Sequence, residues 1–587
     1  MIRRLVRQML ISQTLSALTI SLCLLIDSIM IGRFLGVDAV AAYGLANPIL
    51  LIVGAIGSLL AAGVQVVCSR SLGSGSMEET NQGYSSSIAL ALCSSVALMV
   101  LVLLFRNPLA VLMGATGEKQ HLFDLTREYM AGFIIGAPAT MGALILVPFL
   151  QMAGQNNLLI VAVLAMTVSD IVFDFLSVFV FNGGMFGMGL ASSLSYYVAM
   201  AVAMIYFLSK DCVFKFSRKH VTMAKIRELI KGGIPTIFNM ASTVVCVFVI
   251  NRILLLVSGS DAVAAFTTIM TIGNSANCIS TGVGGVSLTL SGILFNEEDK
   301  TGLKDMLTYL SRCAVVMGVA MGAVIVLIAP FAVKLFINKP GETRDMAALG
   351  VRLFALGLVP CCLNNALKSF YQGTERVRLT ELISVIEGAA FPILVAFVFS
   401  RFMGVTGVWL YFALGELLAL ICVALWAIRQ KRHLPMVQRF MLLKDEFGVR
   451  SENLMEDQIR SLEDVARVAK EAGDFCRSHG YDEKTVNHIQ LCIEEKASNT
   501  VTYGFEPGKD NCLSVRIQNK GDKWVLRFRD DCGAFDPVRY VPGPDRTDAV
   551  GIRLMIAMAD DIRYTYSLNL NNLTIKLSTE GREAKKE

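Results

Sequence analysis

Charge is what this 587-residue chain has least of. Only 17% of its residues are Asp, Glu, Lys or Arg, and its mean hydropathy is +0.57, whereas a soluble chain carries about a quarter charged residues. A single globular enzyme is thereby excluded. No Cys-x-x-Cys pair and no Cys/His cluster occurs among 14 cysteines and five scattered histidines, so zinc chemistry of that kind is not expected. The cysteines read as small apolar fillers, and the four nearest the C-terminus (Cys476, Cys492, Cys512, Cys532) suit a reducing cytosol. A Gly-x-x-x-x-Gly-Lys-Ser/Thr phosphate loop is missing, which argues against an ATP-driven pump. No small-residue cleavage site follows Met1-Ile2-Arg3-Arg4. The apolar stretch continues through Asp27, as in a first membrane span rather than a signal peptide.

The scarce charge is also uneven. Residues 1–440 hold 53 of the 101 charged residues (12%) at net +9, and residues 441–587 hold 48 (33%) at net −4. The pattern is a membrane protein with a soluble domain attached. Apolar runs of about 20 residues, enough to cross a bilayer, recur near 8–34, 40–67, 84–105, 125–150, 157–181, 185–208, 233–257, 262–294, 305–330, 348–371, 379–400 and 404–428. Twelve spans put both termini on one side. About eighteen Lys and Arg flank the spans on that side and about seven on the other, so the positive-inside rule makes both termini cytoplasmic in a multi-pass plasma-membrane protein. The basic excess belongs to orientation, and no nucleic-acid partner is expected.

Asp38-Ala39-Val40-Ala41-Ala42 recurs 223 residues later as Asp261-Ala262-Val263-Ala264-Ala265. Gly184-x-x-Gly187 is echoed by Gly404-x-x-Gly407. Both echoes fall at corresponding places in two six-span blocks, which predicts a parallel duplication, a substrate cleft between two lobes and alternating access. The expected organisation is an N-lobe at 1–208, a basic connector at 209–232, a C-lobe at 233–430, a linker at 431–452 and a soluble domain at 453–580.

A charge near mid-bilayer costs roughly 2.5–3.5 kcal/mol, so each one needs a reason. The first lobe carries Asp27 and the pair Asp170 and Asp174, whose i, i+4 spacing puts both on one helix face. Carboxylates facing one cavity tend to share a proton, whose release depends on which side is open. That suits ion coupling. The alternative is structural, with Ser28, Ser169 or backbone satisfying a buried Asp. In the second lobe Asn239 and Asn251 are candidate substrate contacts, Glu387 and Glu416 are candidate partners of Arg252, and Arg252 is the expected intramembrane cation.

Asp27-Ser28-Ile29-Met30-Ile31-Gly32-Arg33-Phe34-Leu35-Gly36, Ala41-Ala42-Tyr43-Gly44-Leu45-Ala46-Asn47-Pro48-Ile49, Gln151-Met152-Ala153-Gly154 and the Asp174 region together resemble the multidrug and toxic compound extrusion (MATE) family over residues 1–430. The resemblance implies an α-helical polytopic protein of twelve helices in two bundles. It implies export of small organic, often cationic compounds against entry of H⁺ or Na⁺, with no other cofactor for transport. The family's first-span Asp falls on Asp27, and its fifth-span Asn-x-x-x-Asp falls on Asp170 and Asp174. Asp stands here where Asn is usual at 170.

Beyond 431 hydropathy collapses. Ser461 to Gly480 and Asp482 to Thr500 carry helical periodicity, while Cys512–Gln518, Lys523–Phe528, Asp561–Ser567 and Leu573–Leu577 alternate as half-buried strands. An α+β two-layer domain follows. Glu495-Lys496-Ala497-Ser498-Asn499, Asp530-Asp531-Cys532-Gly533-Ala534 and Gly551-Ile552-Arg553-Leu554, in that order, resemble the GHKL ATP-binding fold of anti-sigma-factor serine kinases. The resemblance implies Glu495 as general base, Asn499 as Mg²⁺ ligand, Asp530 as adenine contact, and Gly533 and Gly551 beside a bound Mg·ATP. Side chains at Cys532, Ala534 and Arg553 replace three of the family's glycines, and the lid at 538–550 is short, with Gly543 its one glycine. The leading expectation is a cation-coupled exporter with an ATPase-like regulatory domain that engages a cytosolic protein. Two alternatives are a membrane-tethered serine kinase switch and a flippase of lipid-linked precursors.

Overall fold

The computed structural model describes residues 2–113, 120–210, 212–337, 341–445, 447–540 and 550–578. The first lobe contains α1 (Ile2–Met30), α2 (Val37–Gly73), α3 (Met77–Leu104), the short α4 (Arg106–Leu112), α5 (Gln120–Ile134), α6 (Ala137–Met152), α7 (Asn156–Phe179) and α8 (Gly184–Phe207). The second lobe contains α9 (Met223–Ala276), α10 (Cys278–Asn296), α11 (Lys300–Phe336), α12 (Glu342–Leu356), α13 (Leu358–Gly373), α14 (Val377–Val385), α15 (Phe391–Trp409) and α16 (Tyr411–Gln430). Among the described residues nine helices are long and apolar enough to cross a membrane. The bent pairs α5–α6 and α12–α13 raise this to eleven. The 29-residue α1 supplies the twelfth element of membrane-crossing length.

The duplication is visible in backbone geometry. Gly36 and Gly259, 223 residues apart, both take left-handed φ values (92° and 76°) at the turn before the repeated Asp-Ala-Val-Ala-Ala. Gly184 and Gly404 match likewise, at 56° and 58°. The fourth span of each lobe bends alike, by 44° and 45°. A β-carbon is disfavoured at these four turns, so the glycines mark the repeat better than the Ala-rich text does.

The lobes meet at the end of the bundle that carries the chain's beginning. There α1 lies against α10, and α2 lies against α9 and α10. Glycine permits the approach: a Cβ on Gly63 would fall 2.1 Å from the Leu229 carbonyl oxygen, and one on Gly73 would fall 2.3 Å from that of Ile293. Toward the other end Gly44 and Gly54 of α2 have nothing within 4 Å of such an atom. The lobes are therefore packed closely against each other at the terminal end.

The tail adds α17 (Met436–Met441), β1 (Leu454–Ile459), α18 (Leu462–Ser478), α19 (Glu483–Asn499), β2 (Leu513–Asn519), β3 (Lys523–Asp530), α20 (Val550–Met558), β4 (Asp561–Ser567) and β5 (Leu570–Ser578). The sheet order is β1-β2-β3-β5-β4, antiparallel throughout. Ser461 and Asp482 cap α18 and α19 through side-chain bonds to the N–H groups of Asp464 and Thr485. Trp524, Leu526 and Phe528 alternate along β3 and join the two helices in one core. Three elements were not expected: α17, inside the stretch expected to be a linker, β1 and α20. β1 is an edge strand with adjacent acids, Glu456 and Asp457, which hide its alternation. The helix α20 follows the lid, and Gly543 lies outside the described residues.

Candidate functional site

On α7 the buried residues Leu159, Ala162, Val163, Met166, Asp170, Asp174 and Ser177 form one stripe. That stripe turns two carboxylates toward α1, where Asp27 sits four residues before a π-helical turn, Ile31–Leu35. The three are 3%, 1% and 0% exposed, and one carboxylate oxygen from each lies within 4.8 Å of the others. Ser192 Oγ of α8 donates to Asp27 Oδ2 at 2.9 Å. Cys23 and Ser195 lie against Asp170. Asp27 Oδ1, Asp170 Oδ2 and both Asp174 oxygens have no hydrogen-bond donor among the described residues, and an unpaired buried carboxylate is costly. Of the expected structural partners, Ser169 is not used. Ser169 Oγ donates to the Ala165 and Met166 carbonyls of its own helix, and the Ser28 side chain lies outside the described residues. Ser192 and Ser195 were missed by sequence reasoning; their signal was the serine run of α8 at the level of α7.

The second lobe corrects one expectation. Arg252 is exposed and lies over the Phe248 ring at 5.4 Å, so it does not pair with Glu387 or Glu416. The buried cation is Lys368 on α13, whose ammonium bonds Glu387 Oε1. Asn239 Nδ2 donates to the same oxygen at 3.3 Å. Glu416 Oε2 accepts from Asn364 Nδ2 at 2.7 Å, and Asn251 Oδ1 is buried with no hydrogen-bond partner among the described residues. Lys368 was legible as a charge within the 348–371 run; its partner was not.

In the tail a cavity of about 450 Å³ opens between α19, the β3 end and α20, a volume in the range of small-ligand sites. Asn499, Asp530, Gly533 and Lys496 line it, with Phe535 and Tyr540 on the far wall. Asp530 is buried and already engaged. Its Oδ2 accepts from Lys496 Nζ at 3.0 Å and its Oδ1 from Asn571 Nδ2 at 2.6 Å. Lys496 Nζ also donates to Thr500 Oγ1 at 2.7 Å. The adenine contact expected at Asp530 thus shares its carboxylate with a lysine that sequence reasoning passed over. Asn499, which lines the cavity, donates through Nδ2 to the Glu495 carbonyl at 2.7 Å. Glu495 is not among the lining residues; its carboxylate lies where a Cβ on Gly551 would be, 1.7 Å away. Gly551 is therefore required by the close approach of α20 to Glu495, whereas a Cβ on Gly533 would meet nothing. Volume, aromatic wall and the Asp530 and Asn499 oxygens fit a nucleotide; Glu495 as an open base does not fit this arrangement.

Residues 14–176 and 235–398 match the MatE family, one stretch in each lobe, and residues 460–577 match the histidine kinase-like ATPase domain. The multidrug export protein MepA of Staphylococcus haemolyticus is 24% identical over 372 residues, covering 63% of this chain and 80% of that protein. MepA of Staphylococcus aureus strain NCTC 8325 is 24% identical over 374 residues, covering 63% and 81%. A solved outward-facing multidrug resistance MATE family transporter superposes with TM-score 0.68 at 21% identity, over 72% of this chain and 95% of that one. A Pyrococcus furiosus transporter of the same superfamily, described as having a binding pocket of reverse polarity, superposes with TM-score 0.66 at 21% identity over the same shares. The two matched stretches span more than half of the sequence and coincide with the duplicated lobes, so the chain belongs to the MatE family of polytopic membrane transporters and carries a histidine-kinase-like ATPase domain at its C-terminal end.

Proposed function

We propose that this protein is a secondary exporter of small organic cations that works by alternating access, coupled to inward movement of H⁺ or Na⁺ through Asp27, Asp170 and Asp174. The observation that carries the reading is the convergence of three buried carboxylates on two spans, with four oxygens left without donors among the described residues. Such a cluster must take up protons or a cation, and an exporter that alternates its access can exchange them for cargo. The interior charge agrees: Lys368 is cancelled by Glu387, Glu416 adds a carboxylate, and among the described residues of the two lobes no surplus of buried cations awaits an anionic lipid head group. The termini, in this reading, face the cytoplasm of a plasma-membrane protein. There the tail would hold a nucleotide against Asp530 and Asn499 and act as a regulator.

The test is export of a fluorescent organic cation from proteoliposomes under an imposed H⁺ or Na⁺ gradient. Asp27→Asn and Asp174→Asn should each lower gradient-driven export by about tenfold or more, the loss expected of a group whose ionisation drives the step. Asp170→Asn should lose less, since Asp170 has one orphaned oxygen and Asp174 two. Full gradient-dependent export by both of the first two variants would sink the coupling role. The gradient that drives the wild type identifies the ion.

A further inference from the structure

The outer face of the tail's sheet is basic. On β2 and β3 the residues that alternate with the core are Arg516, Lys523, Arg527 and Arg529, and none of the three arginines points into water. They cover Glu297-Glu298-Asp299, the loop between α10 and α11. Arg529 Nη2 donates to both Glu297 carboxylate oxygens, and Arg527 Nη1 to the Glu297 carbonyl at 3.0 Å. Arg516 Nη2 donates to the Glu298 carbonyl at 3.2 Å, and Lys520 Nζ to the Glu298 carboxylate at 2.8 Å. Acids at the C-terminal end of a helix oppose its dipole. Glu298 also holds a left-handed φ of 54° that a non-glycine residue adopts at a cost. The docked arginines compensate for both.

The same sheet touches the other lobe. At the β4–β5 turn Leu568 N–H donates to the Met152 carbonyl at 2.7 Å, and Asn569 Nδ2 to the Gly154 carbonyl at 2.8 Å. A Cβ on Gly154, whose φ is 78°, would lie 2.4 Å from Asn569 N. Arg563 Nη1 donates to the Ser74 carbonyl at 3.2 Å. One hydrogen-bonded sheet therefore spans the terminal rims of both lobes, above the glycine seam that closes them.

We propose that this face is an autoinhibitory clamp. Opening the terminal end of the cleft must move Met152, Gly154 and Ser74 away from Glu297, Glu298 and Asp299, and a single sheet cannot follow both. The tail must release one lobe before the exporter can open toward its cargo, and so it sets the cycling rate. This inference rests on the alternating-access reading above.

The test uses the full chain in lipid nanodiscs, followed by hydrogen–deuterium exchange. Variants are Glu297→Arg, Arg529→Glu, the exchanged pair Glu297→Arg/Arg529→Glu, and Gly154→Ala, which leaves the tail sequence untouched. Each single variant should raise exchange at both rims, 150–156 and 294–300, and along the seam at 225–235. The exchanged pair should restore protection, and the three single variants should export about fivefold faster or more, within the usual range of coupling between sites. Exchange confined to the mutated rim, or unchanged or slower export with both rims released, would overturn the clamp. If wild type and variants alike export nothing, the exporter reading fails, and seam exchange alone decides whether the sheet holds the lobes together.

Discussion

Asp530 and Lys496 show how one residue type in a familiar place can change a site. Both are almost fully buried, the ammonium stands 3.0 Å from the carboxylate, and both residues line the cavity. Removing one member of a buried pair leaves an uncompensated charge and costs about 3–5 kcal/mol, whereas replacing both by neutral groups is often close to neutral. Lys496→Met should therefore lower the stability of the tail by that amount in urea unfolding of the full chain followed through Trp524, and Lys496→Met/Asp530→Asn should regain most of it. Equal losses in the single and double variants would show that the pair carries no coupling. Cys532, two residues on, is a second consequence of the same burial. Burial first, and the Asp530 carboxylate next, push its thiol up to about 12. A raised thiol keeps its proton as pH rises through neutrality, so alkylation of Cys532 in the folded chain should be negligible at pH 7–8. It should climb about tenfold per pH unit above that, where thiolate is the reacting form. Rapid maleimide labelling of Cys532 at pH 7, read by peptide mass, would contradict it.

At the scale of elements, period and composition made the strands and spans legible but not their partners. β3 reads Lys-Trp-Val-Leu-Arg-Phe-Arg-Asp; its alternation is plain, and the polar face looks like one made for water. In the structure that face is docked on the membrane helices, because Arg527 and Arg529 meet a three-acid loop that lies 230 residues earlier. The Glu495 and Asn499 spacing was equally readable, yet i, i+4 also lets the Asn amide bond the carbonyl of its own helix, as it does here. The Asp170–Asp174 stripe and the two-lobed repeat were legible because helical period and paired glycines are local signals. Lys368 with Glu387 was not, since pairing across α13 and the π-turn at Ile386–Ala390 depends on packing. Gly551 offers a prediction at this scale. A methyl there must displace either Glu495 or α20, so Gly551→Ala should raise deuterium uptake across 550–558 and weaken Mg·ATP binding to the full chain. The glycine matters only for helix packing if uptake rises and binding is unchanged.

The whole molecule places the nucleotide-sized cavity and the clamp on opposite faces of the same two strands. Asn571 of β5 donates to Asp530 at the cavity, and its neighbour Asn572 accepts from Arg529 Nε at 2.7 Å at the clamp. A ligand that claims Asp530 competes with Lys496 and Asn571, and any shift it causes at the β3–β5 seam reaches Arg529 one residue away. Binding and docking would then be linked, and linkage is reciprocal: a factor by which nucleotide loosens the clamp is the factor by which a loosened clamp tightens nucleotide. Titration calorimetry on the full chain in nanodiscs measures this directly. Mg·ATP should bind Glu297→Arg more tightly than wild type, by the factor with which saturating Mg·ATP shifts the docking equilibrium seen in exchange at 294–300. Asn499→Ala should remove both the heat and the exchange response. Equal affinity in wild type and Glu297→Arg would mean that cavity and clamp act separately, so that the tail restrains the lobes without reading nucleotide. No heat in either chain up to millimolar Mg·ATP would mean that the buried lysine has closed the adenine position for good. The clamp would then be governed by whatever competes for Glu297, not by what fills the cavity.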